Sequence, residues 1–165
     1  MSVDFEMSGR PMPQSEQPSS IERLLNDHRR IALDSNVLIY LLDTIGPRFE
    51  AAARIVDEIE AGRIDAVLST VGLVEILTGP ARAGEAAAFE VMADELRNLR
   101  LEIVALGTGV AEDAAWVRGR GGLDLGDAIH LASARAAGAT AFVTNDRHIR
   151  SSNALEVVYL DDLVA

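Results

Sequence analysis

Cysteine and lysine are both absent from this chain of 165 residues. Without cysteine there is no disulfide, no thiolate nucleophile and no cysteine-ligated zinc or iron–sulfur centre, which is compatible with a reducing compartment. Without lysine, every mechanism that needs a catalytic or phosphate-binding lysine is excluded. All 15 cations are arginine, so bidentate phosphate contacts remain open, although a GC-rich coding sequence produces the same bias with no functional meaning. Aromatic residues are scarce at 4%, and the core must come from interdigitated Ala, Leu, Val and Ile. No apolar run approaches the ~20 residues of a membrane helix. The polar start, MSVDFEMSGRPMPQSEQPSS, lacks the apolar core of a secretion signal, so a cytoplasmic location is expected by default, with no membrane partner. Positive charge is also short: a formal net charge of −11 argues against a broad basic nucleic-acid platform, but not against a local one.

What remains is an ordinary globular composition, 48% hydrophobic, long enough for one domain that buries roughly two-thirds of its unfolded surface. Residues 1–18 hold three of the five prolines with no hydrophobic period and read as a flexible tail, leaving 19–165 as a single domain. Ser19 and Glu22 are spaced as a capping box before a short helix. RIALD reads as a strand and SNVLIYLLD as a helix, followed by a turn at TIGP. RFEAAARIVDEIEAG places Phe49, Ala52, Ala53, Val56 and Ile59 at helical spacing. IDAVLST is a second strand. Thr70 is the expected cap of a helix VGLVEILTG stopped by Gly79 and Pro80, paired with a longer helix GEAAAFEVMADELRNL. LEIVAL, AFVT and VVYL are further strands, TGVAEDAAWVRGR and LGDAIHLASARAAG further helices, and DDLVA a terminal turn. Strands alternating with helices imply a mostly parallel sheet covered on both faces.

Four acidic signatures punctuate this pattern in order: Asp34 in IALDSNVLIYLL, Glu75 in LSTVGLVEILTG, Asp127 in LDLGDAIHLASA and Asp146 in AFVTNDRHI. Each sits at or just beyond an apolar strand-like run, and an open α/β sheet delivers such residues to one cleft. Carboxylates gathered together repel one another, and a hard divalent cation neutralises them. Each also has a plainer reading: a strand-end Asp caps a helix or shapes a turn, Glu75 can stand at an exposed helix edge, and Asp127 can complement a helix dipole. Asp124, three residues before Asp127, is either a cap or a further ligand on the same helix face. The histidines at 28, 130 and 148 are too scattered for zinc, and His130 on an apolar helix face reads as a satisfied buried residue.

The segments LDSNVLIYLL, STVGLVEILTG, LGDAIHLASA and FVTNDRHI, taken together and in this order, resemble the PIN domain, and more narrowly the VapC-type toxin ribonucleases of bacterial toxin–antitoxin pairs. The resemblance spans roughly residues 30 to 162. It implies an α/β/α sandwich around a central, mostly parallel sheet of about five strands. It also implies a metal-dependent endoribonuclease in which Asp34, Glu75, Asp127 and Asp146 hold Mg²⁺ or Mn²⁺ for hydrolysis of RNA phosphodiester bonds. Ser35 and Thr144 are implied as hydroxyl neighbours of the site, with Asn36 fixing the loop after the first strand. A cognate antitoxin covering the acidic cleft and a homodimer are the partners the family implies.

From the residues themselves, phosphodiester hydrolysis needs an activated water and a charge sink at the departing oxygen, which one or two Mg²⁺ ions supply. Asp34 and Asp127 are the first choice for direct ligands, with Glu75 and Asp146 completing the shell or orienting the water. Arg118 and Arg120, just before the acidic helix, and Arg147, beside Asp146, are candidates for clamping an RNA phosphate; two solvated helix-end cations are the equal alternative for the first pair. Two other functions compete. A Mg²⁺-dependent phosphoryl-transfer domain of another α/β family also places an Asp after its first strand. Such domains want a lysine near the phosphoryl group, and one of them wants a second Asp where this chain has Asn36. A PIN-like RNA-binding module without catalysis leaves the four acids unexplained.

Overall fold

The computed structural model describes residues 19–42, 45–152 and 154–164. The expected tail over residues 1–18 lies outside these, as do Asp43 at the end of the expected helix SNVLIYLLD and Thr44 at the start of the expected turn. The chain opens on α1 (Ser20–Asp27), where Ser19 and Glu22 close the expected capping box. β1 (Arg30–Leu33) leads to α2 (Ser35–Ile39), which tightens into a 3₁₀ turn over Tyr40–Leu42. α3 (Pro47–Glu60) returns the chain to β2 (Asp65–Ser69). The hairpin of α4 (Thr70–Ala83) and α5 (Ala86–Asn98) leads to β3 (Leu101–Val104). Then come α6 (Thr108–Gly121), α7 (Leu125–Ala136), β4 (Ala141–Thr144), β5 (Glu156–Tyr159) and the short α8 (Leu160–Leu163).

All four strand pairings are parallel, and the order is β3-β2-β1-β4-β5. The chain winds outward from β1 to β3, then crosses back to the other side of β1. The reversal falls between β1 and β4, the position where a doubly wound sheet opens a crevice at its carboxyl edge. The Asp34 N–H donates to the Val143 carbonyl at 2.9 Å, extending the β1–β4 ladder to the residue that opens this crevice.

Side chains alternate across the strands with period two, which sorts the core into two layers. Ile31, Leu33, Ala66, Leu68, Ala141 and Val143 face one layer with Ile55 and Ile59 of α3, Leu96 of α5 and Leu160 of α8. Ala32, Val67 and Phe142 face the other, beneath Leu131 and Ala134 of α7. The result is the three-layer α/β/α arrangement that the alternating pattern implied. α7 is buried from Ala128 through Ala134, which explains why its sequence is apolar and small around one acid.

Local expectations shift in three places. Ser69, not Thr70, caps α4: its Oγ accepts the Gly72 N–H at 3.0 Å, because the last strand residue already has the extended backbone that a cap requires. Helix α4 also runs through Gly79 and Pro80 to Ala83. Proline removes one backbone donor, and the helix instead ends where Gly84 adopts φ +72, the left-handed turn that glycine accepts without strain. On α3 the buried stripe is Ala51, Ala52, Ile55 and Ile59, rotated from the expected one so that small residues face the sheet and Phe49 and Val56 flank it.

Gly72 in the first turn of α4 has no room to spare. A methyl added there would lie 2.6 Å from Leu68 Cδ1 and 3.2 Å from His130 Cε1, both in fully packed surroundings. Gly72→Ala is therefore expected to destabilise the protein by about 1 kcal/mol net, overpacking of roughly 1–3 kcal/mol outweighing the better helix propensity of Ala. Urea unfolding measures this, and a variant more stable than wild type would show that the site has slack.

Candidate metal centre

Because the strands are all parallel, their carboxyl ends share one edge, and the candidate acids reach it by different routes. Asp34 follows β1 directly and is buried, 6% exposed. Its carboxylate is held by three neighbours: Oδ1 accepts from the Ser35 hydroxyl at 3.3 Å, and Oδ2 accepts from Asn36 Nδ2 at 2.8 Å and from the Thr144 hydroxyl at 2.6 Å. Thr144, last residue of β4, in turn accepts the backbone N–H of Asp146 at 3.0 Å. The two strands that flank the topological reversal are thus tied together through Asp34. Asn36 donates to Asp34 while its own Oδ1 is buried without a partner, a cost of the kind tolerated where a side chain is held for function.

Glu75 lies in the second turn of α4, exposed at the rim. Its Oε2 accepts from His130 Nε2 at 3.0 Å. On the far side of that imidazole, Nδ1 lies 2.8 Å from the Ser69 hydroxyl. Since a carboxylate can only accept, Nε2 must carry a proton, and the Ser69 hydroxyl then donates to Nδ1 in the neutral ring. A chain of hydrogen bonds therefore runs from the cap of α4 through His130 to Glu75. The His130 hydrogen bond, with help from the Ser35 hydroxyl and against partial burial, holds the Glu75 carboxyl below the ordinary range. Burial works against a charge on His130, but the Glu75 hydrogen bond and the nearby Asp34, Glu75 and Asp127 carboxylates raise its pKa overall.

Asp127 stands in the first turn of α7, whose N-cap is Asp124: the Asp124 Oδ1 accepts the Asp127 N–H at 2.9 Å. This is the capping arrangement for Asp124. Its charge still counts, because a methyl built on Gly126 would sit 3.2 Å from Glu75 Oε1 and 3.5 Å from Asp124 Oδ1, placing both oxygens around one point. Burial first, then the charges of Asp124, Asp146 and Asp34, push the Asp127 carboxyl up to about 6. Asp146 is held the other way: its Oδ1 accepts from the His148 backbone N–H and ring Nδ1, both at 2.8 Å, which keeps its carboxyl ionised to lower pH than usual.

Asp34, Glu75 and His130 each bring one ligand-type atom into a group within 4.8 Å. Asp127 and Asp146 are not in that tight group but lie near enough for their charges to act on one another. His130 is buried and satisfied, as its apolar surroundings implied. Its place among the carboxylates was not anticipated, and the signal was its i, i+3 spacing from Asp127, which puts both on one face of α7. Among the arginines, Arg118 and Arg120 occupy the last turn of α6, with Arg120 5.3 Å from the Trp116 ring centroid. Arg147 turns toward α8, where it forks onto Asp162 at 2.7 and 3.2 Å and covers the Tyr159 ring at 4.0 Å.

The raised Asp127 pKa carries a stability consequence in metal-free protein. A carboxyl whose folded pKa exceeds its unfolded value of ~4 favours folding while protonated, and this advantage is lost as pH rises through about 6. Asp127→Asn should therefore match wild type near pH 4 and exceed it above pH ~7, by about 1–2 kcal/mol after discounting for solvent screening. Thermal melts across pH in chelator test this; a difference independent of pH would remove the repulsion on Asp127.

The PIN domain model matches residues 31–154, and the chain belongs to the PIN domain family, a family of nucleases. No curated protein sequence matches it. Among solved structures it is similar to VapBC2 from Rickettsia felis bound to a DNA fragment from its promoter, at 17% identity and a TM-score of 0.63, covering 79% of this chain and 98% of that one. DNA-bound VapBC from Salmonella typhimurium is similar at 18% identity and a TM-score of 0.63, with the same coverage of 79% and 98%. VapC20 from Mycobacterium tuberculosis, described as a Sarcin-Ricin loop cleaving toxin, is similar at 18% identity and a TM-score of 0.55, covering 68% of this chain and 86% of that one. At these identities the likeness is one of fold. Among the described residues, no helix is long and apolar enough to cross a membrane.

Proposed function

We propose that this PIN domain is an endoribonuclease that hydrolyses RNA phosphodiester bonds with Mg²⁺ or Mn²⁺, and that it is the toxin of a bacterial toxin–antitoxin pair. The observation that carries the reading is the gathering of Asp34, Glu75 and His130 at the sheet reversal, with Asp127 close enough that burial and the charges of Asp124, Asp146 and Asp34 push its carboxyl up to about 6. The donor set fits a hard divalent ion: carboxylate oxygens from separate elements, crowded and short of positive charge. Asp34 and Asp127 would bind it directly, with Glu75 and Asp146 completing the shell. Such an ion supplies an activated water and a charge sink at the departing oxygen.

The chain's own residues have separable tasks. Ser35, Asn36 and Thr144 fix both oxygens of Asp34, so the carboxylate is oriented before any ligand arrives. His130 and Ser69 do the same for Glu75. Arg118 and Arg120 would contact RNA phosphates, and Arg147 would do so only by leaving Asp162. The toxin assignment draws on the toxin–antitoxin complexes that share the fold, and a cognate antitoxin covering the acidic cleft and a homodimer belong to the same proposal.

The test is incubation of single-stranded and structured RNAs with the purified chain in Mg²⁺, Mn²⁺ or chelator. Internal cleavage is expected with either ion and none in chelator. Undiminished cleavage in chelator would overturn the metal dependence. RNA binding without cleavage of any RNA under any ion would instead support the non-catalytic PIN module.

A further inference from the structure

Asp34 is the N-cap of α2, Glu75 and Asp127 lie in α4 and α7, and Asp146 alone stands on a loop, beyond the end of β4. A loop places a side chain only as well as the loop itself is held. Here the turn is closed by the Ile149 N–H, which donates to the Asp146 carbonyl at 3.2 Å. The residues on either side of Asp146 are then fastened to β5 and α8. Asn145 Oδ1 accepts the Asp161 N–H at 3.2 Å. Arg147 forks onto Asp162 at 2.7 and 3.2 Å, and its guanidinium lies 4.0 Å from the centroid of the Tyr159 ring. The Tyr159 hydroxyl donates to the Ile149 carbonyl at 2.6 Å.

α8 is a firm base for these contacts. Leu160 and Leu163 bury it in the core, and Arg48 of α3 forks onto Asp161 at 2.7 and 2.9 Å. An exposed ion pair by itself contributes little to stability. Arg147 differs from a lone pair in being fixed on two sides, by a carboxylate at its edge and a ring at its face, which sets the orientation of a planar guanidinium. Its backbone adjoins Asp146. The Asp146 Oδ1 accepts both donors of His148, and among the described residues no donor reaches its Oδ2, so that oxygen is the one an ion would take.

Resting on the metal-dependent ribonuclease reading, we infer that Arg147, Tyr159 and Asp162 form a latch that sets the reach of Asp146 toward the metal. Tyr159 and Asp162 are positioning residues that act through Arg147 and the turn. While latched, Arg147 is not available to an RNA phosphate, so the two roles are exclusive uses of one guanidinium.

Charge alone and the latch predict opposite signs for one variant. Arg147→Ala removes a cation beside the carboxylates, which by charge alone tightens binding of a divalent ion, whereas releasing Asp146 weakens it. Mn²⁺ is titrated into the full chain without RNA, free Mn²⁺ being read by its paramagnetic resonance signal, and melting temperatures are taken in chelator. Wild type is expected to bind saturably, with Kd raised about threefold to tenfold in Arg147→Ala and in Asp162→Ala. Asp162→Glu, which can renew the fork, should restore most of the affinity. Arg147→Ala combined with Asp162→Ala should bind no more weakly than either alone, because both act through one contact. Melting temperatures in chelator should differ by about 2 °C or less, as for any exposed pair.

An unchanged or lower Kd in Arg147→Ala, with wild type binding the ion, would overturn the latch and leave the ribonuclease reading standing. Weaker RNA binding by that variant in chelator would then assign Arg147 to a phosphate. Additive losses in the double variant would overturn the latch in favour of separate charge effects. Weaker Mn²⁺ binding that follows a large fall in melting temperature in every variant, Asp162→Glu included, would overturn it in favour of a purely structural role. No saturable Mn²⁺ binding by wild type together with no cleavage would overturn the ribonuclease reading and the latch with it.

Discussion

Asp34→Asn is expected to lower the rate of RNA cleavage by a factor on the order of 10³ or more while leaving RNA affinity unchanged or slightly higher. The separation follows from what Asp34 touches. It is buried and its oxygens are taken by Ser35, Asn36 and Thr144, so it offers charge to a bound ion and no free donor to RNA. An amide oxygen can still accept from Asn36 and Thr144, and the amide nitrogen can donate to the Ser35 hydroxyl once that hydroxyl turns. The fold should therefore tolerate the change. Asp127→Asn should behave alike, since it too removes a charge from a crowded group. Filter binding and gel assays on one RNA give both quantities. Loss of binding in parallel with cleavage would show that the variant disturbs the RNA path, and full cleavage would remove Asp34 from the chemistry.

Saturating Mn²⁺ or Mg²⁺ should raise the melting temperature of the wild-type protein by about 5–10 °C. An ion that binds only the folded state at about 100 times its Kd stabilises it by ~2.7 kcal/mol, and ~1 kcal/mol moves the transition of a chain this size by about 2–4 °C. Part of what resists folding without metal is the charge that attracts it: Asp127 is destabilised as an anion first by burial and then by Asp124, Asp146 and Asp34. In Asp34→Asn the shift should shrink toward zero, because one carboxylate of the proposed ligand set is gone. Equal shifts in wild type and variant would exclude Asp34 as a major ligand, wherever else the ion binds.

The alternation of strand and helix was legible because burial on a sheet imposes short apolar runs and burial on one helix face imposes a 3.6-residue period. All five strands fall where the runs RIALD, IDAVLST, LEIVAL, AFVT and VVYL placed them. Less legible were the ends. Pro80 reads locally as a stop, yet one missing donor does not end α4, and Gly84 supplies the left-handed turn four residues later. Ser69 and Thr70 are chemically alike as caps, and the extended backbone at the end of β2 is what selects Ser69. On α3, spacing alone could not say which of two neighbouring stripes faces the sheet.

The sequence by itself determined the family. Four acids after apolar runs, with no cysteine and no lysine, pointed to a hard-cation carboxylate site as the leading expectation, and the motif order corresponds to the PIN domain that the family match identifies over residues 31–154. Tertiary structure decided which atoms meet. The strand order β3-β2-β1-β4-β5 sets β4 beside β1, so that Thr144, 110 residues from Asp34, donates to it at 2.6 Å. The packing of α7 against α4 brings His130 to Glu75 across 55 residues, turning a histidine that read only as a satisfied buried residue into a support of the site. Neither pairing has a local signature, because each depends on which strands and helices become neighbours, and that is settled by burial of the whole core and not by any one segment.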